Sequence, residues 1–355
     1  MSGVIGHVMY AILGAKAAAQ RSLPIAPLLH RHEASYLCGA YLGADIQTLP
    51  NGTDVETGLP FGYGTLPPSV TERNGRPIRP YQLVHEEKAY DSRTVTDLFY
   101  GRSHLTLGWT AADLSLTVPW DHLPDYAAAV MADVPRIHGP GERPIAFLFG
   151  WIAHIVGDAL IKGVRSGLSM KLLNGLYTPE NRPIQDLVAY HEIGVRELGL
   201  NWPNLLHDMA TAPAEPIQSH YMRVSKPEGQ LGERYPIGWQ PEQSDLLAAL
   251  LRANRWYFPH WVRQIIEQLK LTRDAQGIWQ CDPQLSRRAG NLSYAEMIEL
   301  AAQANFRHTM WQIGESIADL FQAIIETAPE THNWSDRSQP DWRTLTERWA
   351  PDSDV

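Results

Sequence analysis

An apolar run from Ile145 to Leu160 carries one imidazole and one carboxylate, in the order His154-Ile155-Val156-Gly157-Asp158. No other feature limits the fold of this chain so tightly. The run reads as a buried helix, with Pro144 suited to its first position. On a helix, positions i and i+4 share a face, with Cβ atoms about 5–6 Å apart. That separation lets two side chains hold one metal ion. A carboxylate in so apolar a segment also needs a partner, because burying it unpaired is costly. A divalent cation meets that need. The competing explanation is a hydrogen-bonded His–Asp pair that fixes helix packing.

Zinc binds His nitrogen and carboxylate oxygen, normally with four ligands. His154 and Asp158 supply two, and the candidates for the others come from separate elements. Asp45 closes Leu42-Gly43-Ala44-Asp45, His104 closes Tyr100-Gly101-Arg102-Ser103-His104, and His7 closes Gly3-Val4-Ile5-Gly6-His7. Taken singly, each has an ordinary explanation. Asp45 caps a turn at a helix end, and the two histidines are packed or surface residues.

Helical spacing dominates. It predicts helices over Gly3–Gln20, about Ala26–Ala44, Thr94–Tyr100, Pro124–Ala132, Pro144–Lys162 and Pro183–Leu198, the last stopped by Gly199. Ser244–Leu271 also has helical spacing, with Pro259 forcing a kink or break. Ser293-Tyr294-Ala295-Glu296 is a capping box that opens a helix through about Thr327. Thr48–Ser92 is rich in Pro and Gly, with a hairpin expected around Asn74-Gly75, and Leu105–Val118 suits a short strand pair. The fold class expected is mainly α, a multi-helix bundle with a long irregular insertion. Residues 1–235 form the expected metal-binding helical domain, with the insertion at about 48–92. Residues 236–330 add C-terminal helices as a lid or oligomer surface, a homodimer included, and 331–355 are a tail.

The chain has 355 residues, 44% hydrophobic and 19% charged, with net charge −9. That length buries a sizeable core. The acidic balance argues against general binding to nucleic acid or an anionic membrane. Two cysteines, Cys38 and Cys281, are too few for a disulfide framework, and a reduced cytoplasmic setting suits them best. No basic residue precedes the apolar start Val4–Ala15, and His7 and Lys16 interrupt it. It therefore reads as a folded helix rather than a signal peptide. No uninterrupted stretch of about 18 apolar residues exists, so no transmembrane helix is expected.

Together these motifs resemble the zinc-dependent phospholipase C and single-strand nuclease superfamily. Gly3-Val4-Ile5-Gly6-His7 with Ala11, Leu13 and Ala15 is similar to the mature start of its secreted nucleases. Ala44-Asp45 at a helix end, a lone His104 and His154-x-x-Gly157-Asp158 then follow in the family's order. The resemblance covers roughly residues 3–200. It implies a bundle of that family's type and one zinc held by Asp45, His104, His154 and Asp158. Asp158 would bridge to a second zinc that includes His7. The Ser2 amine, exposed by loss of Met1, would take the place of the family's metal-binding amino terminus. Asp45 would also orient or deprotonate the attacking water.

Two departures mark this chain. The family's Asp-x-x-x-Pro-(Leu/Met)-His has no counterpart after Asp158, and the later His-x-x-x-(Glu/Asp) is reduced to His191-Glu192. The third zinc position is thus degenerate, rebuilt or absent, with His191 its remaining candidate. Lys162, one turn past Asp158, would supply the missing positive charge. The expectation is a zinc-dependent hydrolase of a small phosphate ester with two ions, a third position left open. Iron and manganese also accept such ligands. Two alternatives stand beside it. His207-Asp208, with His154 and Asp245 or Asp319, would suit an HD-type metal phosphohydrolase. A non-hydrolytic protein with one structural metal would need only part of the set.

Overall fold

The computed structural model describes residues 3–46, 48–61, 71–73, 75–105, 122–138, 141–161, 181–213 and 242–328. The apolar run forms α6, Arg143–Ile161, and every residue from Pro144 to Ile161 is buried. Around it pack α1 (Val4–Gln20), α3 (Glu33–Leu42), α5 (Leu123–His138) and α12 (Phe306–Thr327). By length and composition α6 is apolar enough to cross a membrane, but protein covers it throughout, as suits a core helix. The remaining helices are α2 (Ala26–Arg31), α4 (Ser92–Ser103), α7 (Arg182–Val188), α8 (Trp202–Thr211), α9 (Glu242–Leu269), α10 (Pro283–Arg288) and α11 (Tyr294–Gln303). The described chain is mainly α-helical.

Glycines bring the central helices together. A Cβ on Gly150 would lie 1.9 Å from the Tyr36 carbonyl oxygen, and one on Gly39 would lie 2.1 Å from that of Phe147. Only hydrogen at both positions permits this crossing of α3 and α6. Gly157 does the same for α1, since its Cβ would meet the Tyr10 ring at 2.3 Å. These close crossings draw the end of α3, the start of α1 and the middle of α6 to one place.

Several helix boundaries differ from the sequence reading. His32 leaves helical geometry (φ −119°, ψ 36°) and divides the expected second helix into α2 and α3. Asn305 at φ 53° divides the last helix into α11 and α12, although the Ser293–Glu296 capping box forms as read. α9 runs unbroken through Pro259. α7 continues as a π-helical segment, Ala189–Glu197, before Gly199 at φ 63° ends it. α8 was not anticipated; Asn201 caps it by accepting from the Asn204 N–H, and Pro203 occupies its first turn.

The excursion after α3 forms an antiparallel sheet of order β2-β1-β4-β3, with β1 Gly52–Asp54, β2 Pro60–Phe61, β3 Glu72–Arg73 and β4 Arg76–Pro80. Arg73 pairs with Arg76 across the expected hairpin, with Gly75 at φ 73°; Asn74 lies outside the described residues. Two further hairpins are β5 (Leu83–His85) with β6 (Lys88–Tyr90), and β7 (Thr272–Arg273) with β8 (Trp279–Gln280). Most of the expected strand pair at 105–118 and the tail at 331–355 lie outside the described residues. Leu105 itself sits in a turn at φ 53°.

One apolar cluster runs from Val4 to Ile324. Met297, Phe306, Met310, Ile317 and Phe321 of the C-terminal helices belong to it, so α11 and α12 build the main core rather than an added layer. A second cluster joins Ile46, Leu49 and Leu83 to Val95 and Phe99 of α4 and to Leu246, Leu250 and Tyr257 of α9.

Candidate metal centre

Five side chains meet where these helices converge. They are His7 from α1, Asp45 just past α3, His104 just past α4, and His154 and Asp158 from α6. All are buried, with exposures from 0% to 4%. His7, His154 and Asp158 form one group, and Asp45, His104 and His154 another. Within each group the ligand atoms lie within 4.8 Å of one another.

The two carboxylates are arranged alike. Asp45 places Oδ2 at 3.8 Å from His7 Nε2 and Oδ1 at 3.9 Å from His104 Nε2. Asp158 places Oδ1 at 3.7 Å from His7 Nε2 and Oδ2 at 3.9 Å from His104 Nε2. Its Oδ2 is also 4.0 Å from His154 Nε2. These separations exceed hydrogen-bond length. Two ligands about 2.1 Å from a shared ion at a tetrahedral angle stand roughly 3.4 Å apart, close to what is seen. The sequence resemblance gave the bridging position to Asp158 alone, whereas here Asp45 spans the same two histidines.

The histidine tautomers follow from their backbone partners. His104 Nδ1 lies 2.8 Å from the Tyr100 carbonyl oxygen, and His154 Nδ1 lies 2.8 Å from that of Ala40. A carbonyl oxygen only accepts, so each Nδ1 carries the proton and donates. An unprotonated Nε2 on either ring turns a lone pair toward the carboxylates. Lone pairs facing carboxylate oxygens in an apolar core repel unless a cation lies between them. Partners of this kind fix the ring orientation of metal-ligating histidines. The donor set could therefore hold a metal ion. His7 stacks on His154 with ring centroids 3.6 Å apart and planes 5° from parallel, which puts the two rings side by side at the centre.

Supporting contacts tie the ligand-bearing segments to each other. Trp151 Nε1 donates to the Ser103 carbonyl at 2.7 Å, fixing the end of α4 to α6. Ser103 Oγ donates to the Ala44 carbonyl at 2.5 Å, fixing it to the turn that holds Asp45. Tyr100 lies against His104, centroids 3.9 Å apart. Burial first, and then the charges of Asp158 and Asp45, push its phenol far above the usual range, so it keeps its proton. The sequence reading overlooked Tyr100, although its i, i+4 relation to His104 was available. The Ala40 carbonyl has no signal in sequence.

Other expected site residues lie elsewhere. His191 does not join the cluster. The π-helical winding of its segment sets its Nε2 2.7 Å from the Leu269 carbonyl, and burial lowers its pKa. Glu192 accepts from the Tyr294 hydroxyl and from Arg196. Ser2 and Lys162 lie outside the described residues. His207, Asp208 and Asp245 are exposed, and Asp319 accepts from Arg21 at the surface, so the HD-type arrangement is not assembled.

Asp186 of α7 stands at the start of α1, where a Cβ on Gly3 would meet its Oδ2 at 2.6 Å. Its Oδ1 is buried, although the residue as a whole keeps some exposure. Burial pushes the carboxyl up to about 6, against the pull of Arg182, Arg288 and the Gly6 N–H. A raised carboxyl pKa means the folded state holds a proton that the unfolded chain releases near 3.9. Stability from this group is thus complete below about pH 4 and falls as pH rises to about 6. Asp186→Asn should cost little at pH 4 and become more favourable by up to about 3 kcal/mol at pH 7. Urea denaturation of both proteins with chelator at the two pH values measures that difference. A variant penalty independent of pH would contradict it.

No protein family, curated protein or solved structure matches this chain.

Proposed function

We propose that this chain is a metal-dependent hydrolase of a small phosphate ester, a divergent relative of the zinc phospholipase C and nuclease superfamily. One observation carries the reading: two buried carboxylates each span His7 and His104. Those residues would hold two ions, and a pair of ions is a recurrent device for displacement at phosphorus. When bound, zinc supplies Lewis acidity, acidifying water towards neutrality and offsetting charge that develops on phosphoryl oxygens. Asp45 and Asp158 bring two negative charges into an apolar core and so make room for cations there. Asp45 would orient or deprotonate the attacking water as well as hold metal. Tyr100, its proton held at Oη, is a neutral donor beside the carboxylates. Lys162 follows Asp158 by four residues, and its ammonium is assigned to the substrate phosphate. Net charge −9 favours a small substrate over nucleic acid.

The test is a panel of a phosphomonoester, a phosphodiester, phosphatidylcholine vesicles and single-stranded DNA, assayed with zinc and after chelation. Chelator-sensitive turnover of a small ester is the expected result. A fully loaded protein that hydrolyses none of them would overturn the assignment. A second reading rests on the depth of the cluster, since 0–4% exposure also suits a structural ion. In that case chelation lowers the melting temperature and no substrate turns over.

A further inference from the structure

Asp45 lies in a short turn, and three successive carbonyls of that turn are held by donors from three directions. The Ala44 carbonyl accepts from Ser103 Oγ at 2.5 Å. The Asp45 carbonyl accepts from the Thr48 N–H at 3.1 Å. The Ile46 carbonyl accepts from Asn254 Nδ2 of α9 at 2.6 Å. Asn254 is 2% exposed and distant in sequence. Its amide orientation is fixed. Nδ2 faces two carbonyls, those of Ile46 and Leu250 (3.2 Å), and Oδ1 accepts from the Tyr257 hydroxyl at 2.7 Å. A flipped amide would set oxygen against both carbonyls. Around this contact Ile46 packs with Leu250 and Tyr257, and Tyr41 stacks on Phe258, centroids 5.3 Å apart.

We infer that Asn254, oriented by Tyr257, is a positioning residue that sets the Asp45 carboxylate across both metal positions. The inference rests on the metal centre proposed above. With the carbonyls of residues 44 to 46 pinned, the Asp45 side chain retains only its own torsions. Its two oxygens then stay within 3.8–3.9 Å of His7 and His104. Loss of the Ile46 contact frees one side of the turn. It also leaves a buried carbonyl without this donor, and a carboxylate with freedom to leave one ion. α9 lies beyond the part of the chain that carries the family resemblance. Its role here is to complete a centre whose ligands all come from residues 7–158.

Metal-free full-length protein is titrated with Co²⁺, followed by visible absorption and calorimetry. Wild type is expected to bind two equivalents. Asn254→Ala should weaken both by about 10-fold, the low end of the range for groups bonded directly to a ligand, because it acts through the Ile46 carbonyl, with an altered cobalt spectrum. Tyr257→Phe keeps the ring and removes only the hydroxyl that orients the amide. It should give a smaller shift in the same direction, and it serves as the test if Asn254→Ala does not fold. Met297→Ala, a core change in α11, should lower the melting temperature while leaving cobalt affinity unchanged. If Asn254→Ala and Tyr257→Phe lower only the melting temperature, as Met297→Ala does, with affinity and spectrum intact, the positioning role is refuted although the metal centre stands. If wild type takes up no cobalt, both the centre and the role of Asn254 are refuted.

Discussion

Replacing Asp158 by asparagine is expected to release both metal equivalents. Its Oδ1 is 3.7 Å from His7 Nε2, and its Oδ2 is 3.9 Å from His104 Nε2 and 4.0 Å from His154 Nε2. Asp158 thus faces all three histidines of the cluster. Asparagine keeps the shape and one oxygen but loses the charge that offsets the cations. Affinity should fall by more than about 100-fold at each position, beyond the cost of removing an outer partner. The metal-free variant should move the other way. Asp158 is 2% exposed, and without cations its charge stands in an apolar core close to the histidines that Asp45 also faces. Neutralising it should stabilise the metal-free fold by about 1–3 kcal/mol. Elemental analysis and urea denaturation with chelator read the two effects separately. A variant that retains both ions, or that loses metal-free stability, would contradict this geometry.

The second large effect is expected at the crossing of α3 and α6. Gly150→Ala places a methyl 1.9 Å from the Tyr36 carbonyl oxygen and 2.8 Å from the Ala40 nitrogen. These are backbone atoms and cannot rotate aside, so the helices must separate. Overpacking of this kind costs about 3 kcal/mol or more. The same shift loosens the Ala40 carbonyl that holds His154 Nδ1 at 2.8 Å. Gly150→Ala should therefore weaken metal binding as well as the fold. Gly58→Ala is a useful control of opposite character. Nothing lies within 4 Å of its Cβ, and its φ of 66° makes the cost local. That variant should lose some stability and keep its metal affinity. Equal metal affinity in Gly150→Ala and wild type would mean that the crossing does not set His154.

The sequence made part of this centre readable and hid the rest for physical reasons. His154 and Asp158 were legible because helical periodicity alone puts i and i+4 on one face. Asp45, His104 and His7 were legible only as an ordered set, since nothing local distinguishes them from packed residues. The span of Asp45 across both histidines was not legible, because it depends on a turn held by Ser103 and Asn254 from distant elements. His191 was a candidate only as the remnant of the family's later motif, and in its π-helical segment its Nε2 meets the Leu269 carbonyl instead. Pro259 failed to break α9, whose flanks are buried against the second apolar cluster and the main core. Leu250, Tyr257, Phe258 and Val262 all contribute to that burial. Tertiary packing there outweighs a local penalty of about 3 kcal/mol. Asn305 ended α11 by adopting left-handed geometry, which Asn tolerates better than most residues. α8 starts at Asn201 and Pro203, a cap and a first-turn proline that are present in the sequence.

Metal stoichiometry on the purified full-length chain tests the central claim most directly. The protein is stripped with chelator, dialysed against zinc, freed of excess metal and weighed intact by native mass spectrometry, with elemental analysis in parallel. The geometry of His7, Asp45, His104, His154 and Asp158 predicts two divalent ions per chain. It predicts fewer in His154→Ala, whose ligand atom is shared by both groups. A wild-type chain that takes up no zinc, and none when iron or manganese replaces zinc in the dialysis, would contradict the account.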